Sequence, residues 1–431
     1  MKQTLVISCP ASSRSGYGDH SRDLIRSFVK TGKYSVQVMD QRWGNCPRTE
    51  LKANPDIAEL VLPAGPLTTQ PEVWVQVTIP NEFQPIGSKY NIGITAGIET
   101  DRVAPEWIDG MNRMDMNFVP SQHSKLIFET MSYEQKDKGG NVIGTLASTK
   151  PIHVLFEGVD LDIYDKIESD KLPITIVDTI KDIPESFCFL SVGHWLQGDL
   201  HHDRKDIGGM LQTFMLAFKG TSAKPALILK TSGATFSIND RVEMLKRINM
   251  VRDNLKIKLE QLPNIYLLHG ELTDEEVNGL YNHPKVKAMI SFTHGEGFGR
   301  PLLEFGTTGK PIIAPNWSGQ TDFLGNYTTK LPGQLYEVHP SAQQEGILIK
   351  GSQWFYVDYG YAAKVLKDVY KKYKTFIATS RKQRKYVKDN FSLAAMDEEL
   401  ARLCSENIPE PVKLKLPKLK LPSFAATQGD K

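Results

Sequence analysis

Residues 291–323 read SFTHGEGFGRPLLEFGTTGKPIIAPNWSGQTDF. The stretch opens as a buried strand, passes through a glycine-rich turn, and enters a short helix that begins with Pro301. Glu296 and Glu304 stand eight positions apart across that turn. A second apolar run at 311–314 leads into another glycine-bearing loop at 316–320. The result is a strand–turn–helix–strand unit with its polar groups at one end, where open α/β sheets place their ligands.

The same rhythm extends in both directions. Residues 4–9 form an apolar run before the polar loop ASSRSGYG. Leu24, Ile25 and Phe28 then recur at helical spacing, and 35–39 read as a second strand ending at Asp40. That βαβ order predicts a parallel sheet. Further strands are expected at 73–78, 90–95, 116–119 and 152–156, with Ser121 capping the helix that follows Pro120. The second half repeats the pattern, with strands at 187–192, 226–230, 265–268, 288–291 and 311–314. Helices between them fall at 207–218, 241–261, 274–282 and 301–307. Residues 136–144 read as an exposed loop and 165–185 as a poorly packed connector. The expected class is α/β, with two nucleotide-type halves facing each other across a crevice.

A chain of 431 residues exceeds one ordinary core, so two domains are expected. The boundaries fall at 1–157 and 158–384. A final helix over about 385–408 is read as packing back on the first domain, and 409–431 as a basic, flexible tail. A hydrophobic content of 40% and a charged content of 24% describe a soluble globular protein. No apolar run is long enough to cross a membrane, and the N-terminus reads as a strand rather than a signal peptide. Four scattered cysteines offer neither zinc spacing nor a disulfide framework, which sets a reducing cytoplasmic compartment as the default. Fifty acidic residues nearly cancel fifty-two basic ones, so charge gives no argument for nucleic acid. In the tail, KLKLPKLKLP alternates lysine with leucine, a pattern open to weak membrane-surface contact or to a solvated end.

Several polar clusters lie at strand ends. Gly16 and Gly18 follow the first strand and open a helix, so their amides could receive a phosphate. The third glycine of the dinucleotide fingerprint is missing, and a plain tight turn explains them as well. His201, His202, Asp203, Arg204 and Lys205 precede the helix at Ile207. The adjacent histidines lack helical zinc geometry, which leaves Arg204 and Lys205 as phosphate cations or as a solvated charged loop. Lys230 closes an apolar strand and points toward the crevice. Glu296 and Glu304 both face one cleft, where carboxylates suit the paired hydroxyls of a ribose or hexose. A glycosidase pair is the rival reading.

At this point HGEGFGRPLLEFGTTGKPIIAP resembles the Glu-x7-Glu motif of retaining GT-B glycosyltransferases, the nucleotide-sugar family called family four. The resemblance runs along most of the chain. GYGDHSRDLI, FVPSQHSK, EGVD, DRKDI and HGELTDEEVNGLY followed by AMISF each resemble a family segment, in order. It implies two Rossmann-like domains, a nucleoside-diphosphate sugar bound in the C-terminal one, and transfer of a hexose-type sugar to a hydroxyl acceptor on a glycan, lipid or small molecule. It further implies Glu304 on the ribose hydroxyls, Glu296 on the donor sugar, and the amides of Phe298 and Gly299 toward sugar and phosphates. Lys205 and Arg204 would neutralise the diphosphate, Lys230 would assist, and Gly16 and Gly18 would approach from the other domain. No metal and no further cofactor are implied. His294 and Gln320 join Glu296 as the side chains expected near the hexose.

The chain departs from the family pattern in places. Gly193 is followed by His194 and Trp195 where an arginine is usual, and Phe305 follows Glu304 where alanine is usual. GIETDR puts Glu99 and Asp101 where an acceptor-site histidine often stands, so these two acids become the acceptor-side candidates. Two other classes remain open. One is a non-catalytic nucleotide-sugar-binding or scaffold protein on the same fold. The other is a nicotinamide-dependent oxidoreductase, suggested by Gly16, Gly18 and Asp40.

Overall fold

A computed structural model describes residues 2–410 apart from 223 and 234. The first half contributes strands β1 (Gln3–Cys9), β2 (Tyr34–Asp40), β3 (Val73–Val77), β4 (Tyr90–Ile94) and β5 (Met116–Val119). A hairpin, β6 (Ser132–Lys136) and β7 (Val142–Ala147), then precedes β8 (Ile152–Val154). Strand β8 completes a six-stranded parallel sheet of order β2-β1-β3-β4-β5-β8.

The second half contributes β9 (Cys188–Val192), β10 (Ala226–Lys230), β11 (Ile265–Leu268), β12 (Val286–Ile290), β13 (Ile312–Pro315) and β14 (Thr329–Leu331). These form a second six-stranded parallel sheet, β11-β10-β9-β12-β13-β14. A separate antiparallel hairpin, β15 (Gly333–Glu337) and β16 (Gln353–Val357), packs beside it.

Both sheets are apolar inside for the same reason. Their strands are covered on both faces, so runs such as ALILK and VKAMI need no alternation. In the first domain the helix Gly16–Lys30 lays Leu24, Ile25 and Phe28 against Leu5 and Ile7 of β1. In the second, Leu211, Phe214 and Met215 of the helix Ile207–Ala217 pack on Phe189 and Leu229. Each sheet also has a switch in direction. The chain builds outward from β1 to β2 and from β9 through β10 to β11. It then returns to the other side, at β3 in the first sheet and β12 in the second. Crevices form at such points, and the loops leaving β9 and β12 flank one.

Three expectations change. Residues 136–144 lie within the hairpin β6–β7 rather than in a plain loop. The connector at 165–185 is not poorly packed. It carries the helix Ile174–Ile180, with Ile176 and Ile180 fully buried beneath the helix Asp274–Asn282. The helix expected over 385–408 is two helices, Tyr373–Asn390 and Leu393–Asn407, separated at Phe391 and Ser392. The basic tail lies outside the described residues beyond 410. Among the described residues, no helix is long and apolar enough to cross a membrane.

The helix Leu393–Asn407 belongs to the first core. Met396, Leu400 and Leu403 pack with Leu24, Ile25 and Phe28. The chain therefore crosses between the halves twice, and the crossings pair with each other at Val159 and Ser392.

Candidate active site

Loops at the carboxyl ends of the two sheets meet. From the second domain, Trp317 donates its indole N–H to the Glu99 carbonyl at 3.1 Å. The Gln122 amide of the first domain donates to Asp322 at 2.8 Å. Gly297 lies so close to the first domain that a side-chain carbon there would run into the carbonyl of Ala96. Only glycine permits that approach.

The loop after β12 places Glu296. Its amide donates to Ser318 Oγ at 2.8 Å, and its carbonyl accepts from Gly319 at 2.9 Å. The carboxylate meets two cations from the loop after β9. Lys205 Nζ donates to Glu296 Oε1, and Arg204 Nη1 lies 3.7 Å from Oε2. Arg204 also donates to Glu99 of the first domain. The cations are held by their own loop, because Asp206 caps the helix Ile207–Ala217 and Asp203 accepts from the Ile207 amide at 3.1 Å. The carbonyl of Arg204 in turn accepts from the His294 amide at 3.0 Å, tying the two loops together. Burial pushes Glu296 up, but Lys205 and Arg204 outweigh it and hold the carboxyl below its usual range. Glu99 has only part of that help. Burial wins there, and its pKa is raised despite Arg204.

Glu304 sits one helical turn further on, in a different electrical setting. Gly299, with φ of 106°, caps the helix Arg300–Gly306, and Pro301 occupies its first turn. Arg300 reaches back across the cleft to Asp23 Oδ2 at 2.7 Å. It also lies 3.7 Å from Glu157 and 3.6 Å from Glu304. Glu304 has a further partner in the Tyr281 hydroxyl at 3.3 Å. One guanidinium thus serves several acids, with Asp19 also in its field. Burial raises Glu304 and Glu157 to about 7 and Asp19 to about 6, each opposed by Arg300.

Between the two acids, the amides of Gly297, Phe298, Gly299 and Arg300 find no protein acceptor among the described residues. Successive free amides at a turn make an anion-receptive concavity. The Phe298 side chain turns away and packs on Phe323, within 6.5 Å of Phe391, so only its backbone is offered to the cleft.

Other candidates are placed differently. His294 does not face a sugar. It is fully buried, with Nδ1 2.7 Å from the Phe355 carbonyl and its ring stacked on Trp354. Burial lowers it to about 4, so it is a neutral anchor between this loop and β16. The Gly18 amide donates to the capping Ser15 hydroxyl at 3.1 Å, and a side chain there would strike the Ser13 carbonyl. Its glycine is explained by packing rather than by a diphosphate. Gly16 begins the same helix and is exposed. Lys230 donates to the Gly270 carbonyl at 2.6 Å and lies over the Phe236 ring. Burial, with Arg14 nearby, lowers its pKa to about 8. Asp101 exchanges two backbone-directed bonds with Gln353, at 2.9 and 2.6 Å, so it links β16 to the first domain rather than opening to an acceptor. Gln320 is buried beside Glu296 and Gly299, and its Oε1 has no partner.

Two arginines not singled out from the sequence also hold this face. Arg300 is one. The other is Arg14, whose Nη2 donates to Leu272 of the second domain at 2.9 Å. Both were visible as arginines beside a glycine loop, but their partners lie far away in the chain.

No family model matches the chain, and no curated protein sequence matches it. Solved structures do. A glycosyltransferase from Rickettsia africae superposes with a TM-score of 0.62 at 14% identity, covering 95% of this chain and 100% of that one. Sucrose-phosphate synthase from Thermosynechococcus elongatus gives 0.63 at 12% identity, covering 94% and 99%. Anabaena HepE in complex with UDP-glucose gives 0.56 at 13% identity, covering 94% and 100%. Together with the two facing parallel sheets, these similarities establish the GT-B fold: two Rossmann-like domains across a cleft.

Proposed function

We propose that this chain is a glycosyltransferase that moves a hexose-type sugar from a nucleoside-diphosphate sugar to a hydroxyl acceptor. One observation carries the reading: Arg204 and Lys205 meet on Glu296, next in the chain to the amides of 297–300 that find no acceptor among the described residues, between two facing sheets. Glycosyl transfer expels a diphosphate as positive charge develops on the sugar, so preorganised donors at the leaving oxygens give the largest help. Arg204 and Lys205 would take that charge, with the amides beside them. Glu296 would face the donor sugar and Glu304 the ribose hydroxyls. The similarity to HepE, whose structure holds UDP-glucose, supports a uridine diphosphate hexose as the first donor to test. Retention, metal independence and membership of family four rest on the motif resemblance and are part of the proposal, as is a reducing cytoplasmic setting for its free cysteines.

The test is calorimetric titration of the full chain with UDP-, GDP-, ADP- and TDP-sugars, followed by donor hydrolysis. One donor should bind and turn over. If none binds at millimolar concentration, the reading fails. A non-catalytic binder is the second reading, favoured by Glu99 and Glu296 already neutralising the two cations. Binding without hydrolysis or transfer across a broad acceptor panel would select it.

A further inference from the structure

A second cavity, of about 550 Å³, lies wholly within the first domain, and nothing above uses it. Its size falls within the range of small-ligand sites. Its floor is a cross-strand row near the carboxyl end of the sheet, where Ser8 of β1 stands in register with Met39 of β2 and Gln76 of β3. Its walls bring together Gln41, Gln70, Gln76, Gln84 and Trp74 with apolar side chains. None of the lining side chains carries a charge.

The amides are fixed in place. Gln76 donates to the Glu82 carbonyl at 3.0 Å and accepts from the Gln84 amide at 2.8 Å. Gln70 donates to the Ile86 carbonyl at 2.8 Å, and Gln41 donates to Ser8 Oγ. Each of those donating amides is therefore oriented before any ligand arrives. The Oε1 atoms of Gln41 and Gln70 have no partner among the described residues, and neither has the Gln84 side chain. Trp74, only 4% exposed, adds aromatic surface to the wall.

We infer that this cavity binds a neutral saccharide. Amide donors and acceptors beside Met39, Leu67, Trp74 and Ile86 match a ring whose hydroxyls both donate and accept and whose C–H faces are apolar. A phosphorylated or carboxylated sugar finds no cation there. The word acceptor for this ligand rests on the transfer reading; the binding itself does not.

The experiment is saturation-transfer NMR of the full chain with maltose, cellobiose and lactose, against glucose 6-phosphate, with no nucleotide present. At least one neutral disaccharide should show transfer. Gln70→Ala, which removes a lining amide, should weaken it about three- to tenfold, the effect of one hydrogen bond. Gln84→Ala changes an exposed side chain and should weaken it similarly without affecting folding. The inference is overturned if no neutral disaccharide binds, if only glucose 6-phosphate binds, or if both variants bind as the parent does. Because no donor is present, failure here leaves the donor titration untouched, and failure there leaves this result standing.

Discussion

Glu296 and Glu304 share one loop-helix unit and live under opposite electrostatics. Two cations from a neighbouring loop meet Glu296, and its carboxyl stays ionised below the usual range. One arginine serves Glu304, Glu157 and Asp23 together, and burial raises Glu304 and Glu157 to about 7. The first arrangement matches two cations, Arg204 and Lys205, with two acids, Glu296 and Glu99. The second carries surplus negative charge and holds two domains to each other. Two similar acids in one motif thus differ in how many cations each commands.

The largest test of this contrast is kinetic. Lys205→Ala should lower turnover on the best donor about a hundred- to thousandfold, as loss of one preorganised donor at a leaving group does. An unchanged kcat in that variant would remove Lys205 from the chemistry and leave the two acids indistinguishable.

The next test strikes the other arrangement. Arg300→Met leaves Asp23, Glu157 and Glu304 buried without their common cation. Removing one partner of a buried pair costs about 3–5 kcal/mol, so urea unfolding should shift by that order. A loss below about 1 kcal/mol would mean that Arg300 merely decorates the cleft.

The smallest test uses pH. Glu304 and Glu157 have folded pKa values of about 7, above the ordinary carboxylate value of about 4.5. Between those values the folded chain binds more protons than the unfolded one, so stability falls as pH rises from about 4.5 to about 7 and levels off above. Glu304→Gln should remove at least half of that slope, because Glu157 also loses a repelling neighbour. Thermal melts of both proteins across pH 5–8 measure it; parallel curves would refute the shared-cation account.

How far the sequence could be read follows from the same geometry. The α/β alternation, the strand ends and the basic pair at Arg204 and Lys205 are local patterns, and they were legible. The pairing of Arg300 with Asp23 was not, because it joins residues hundreds of positions apart. His294 was misread for a related reason: a histidine beside a glutamate in a loop looks polar, and only β16 shows that it is stacked away on Trp354. The strands β6 and β7 were hidden by their own turn, whose Lys-Gly-Gly tip dominates a short alternating pattern. Helix boundaries near Phe391 were obscured because a crossing between domains leaves no Pro or Gly there to mark it.

The return of the helix Leu393–Asn407 to the first core bears on where the chain can be cut. Met396, Leu400 and Leu403 complete a hydrophobic cluster that Leu5 and Ile7 begin. Without that helix, Leu24, Ile25 and Phe28 lose part of their apolar cover. The second domain also draws late cover, from Val387 of the helix Tyr373–Asn390. The first core is thus assembled from segments far apart in the chain, and cutting the chain before Leu393 should expose it.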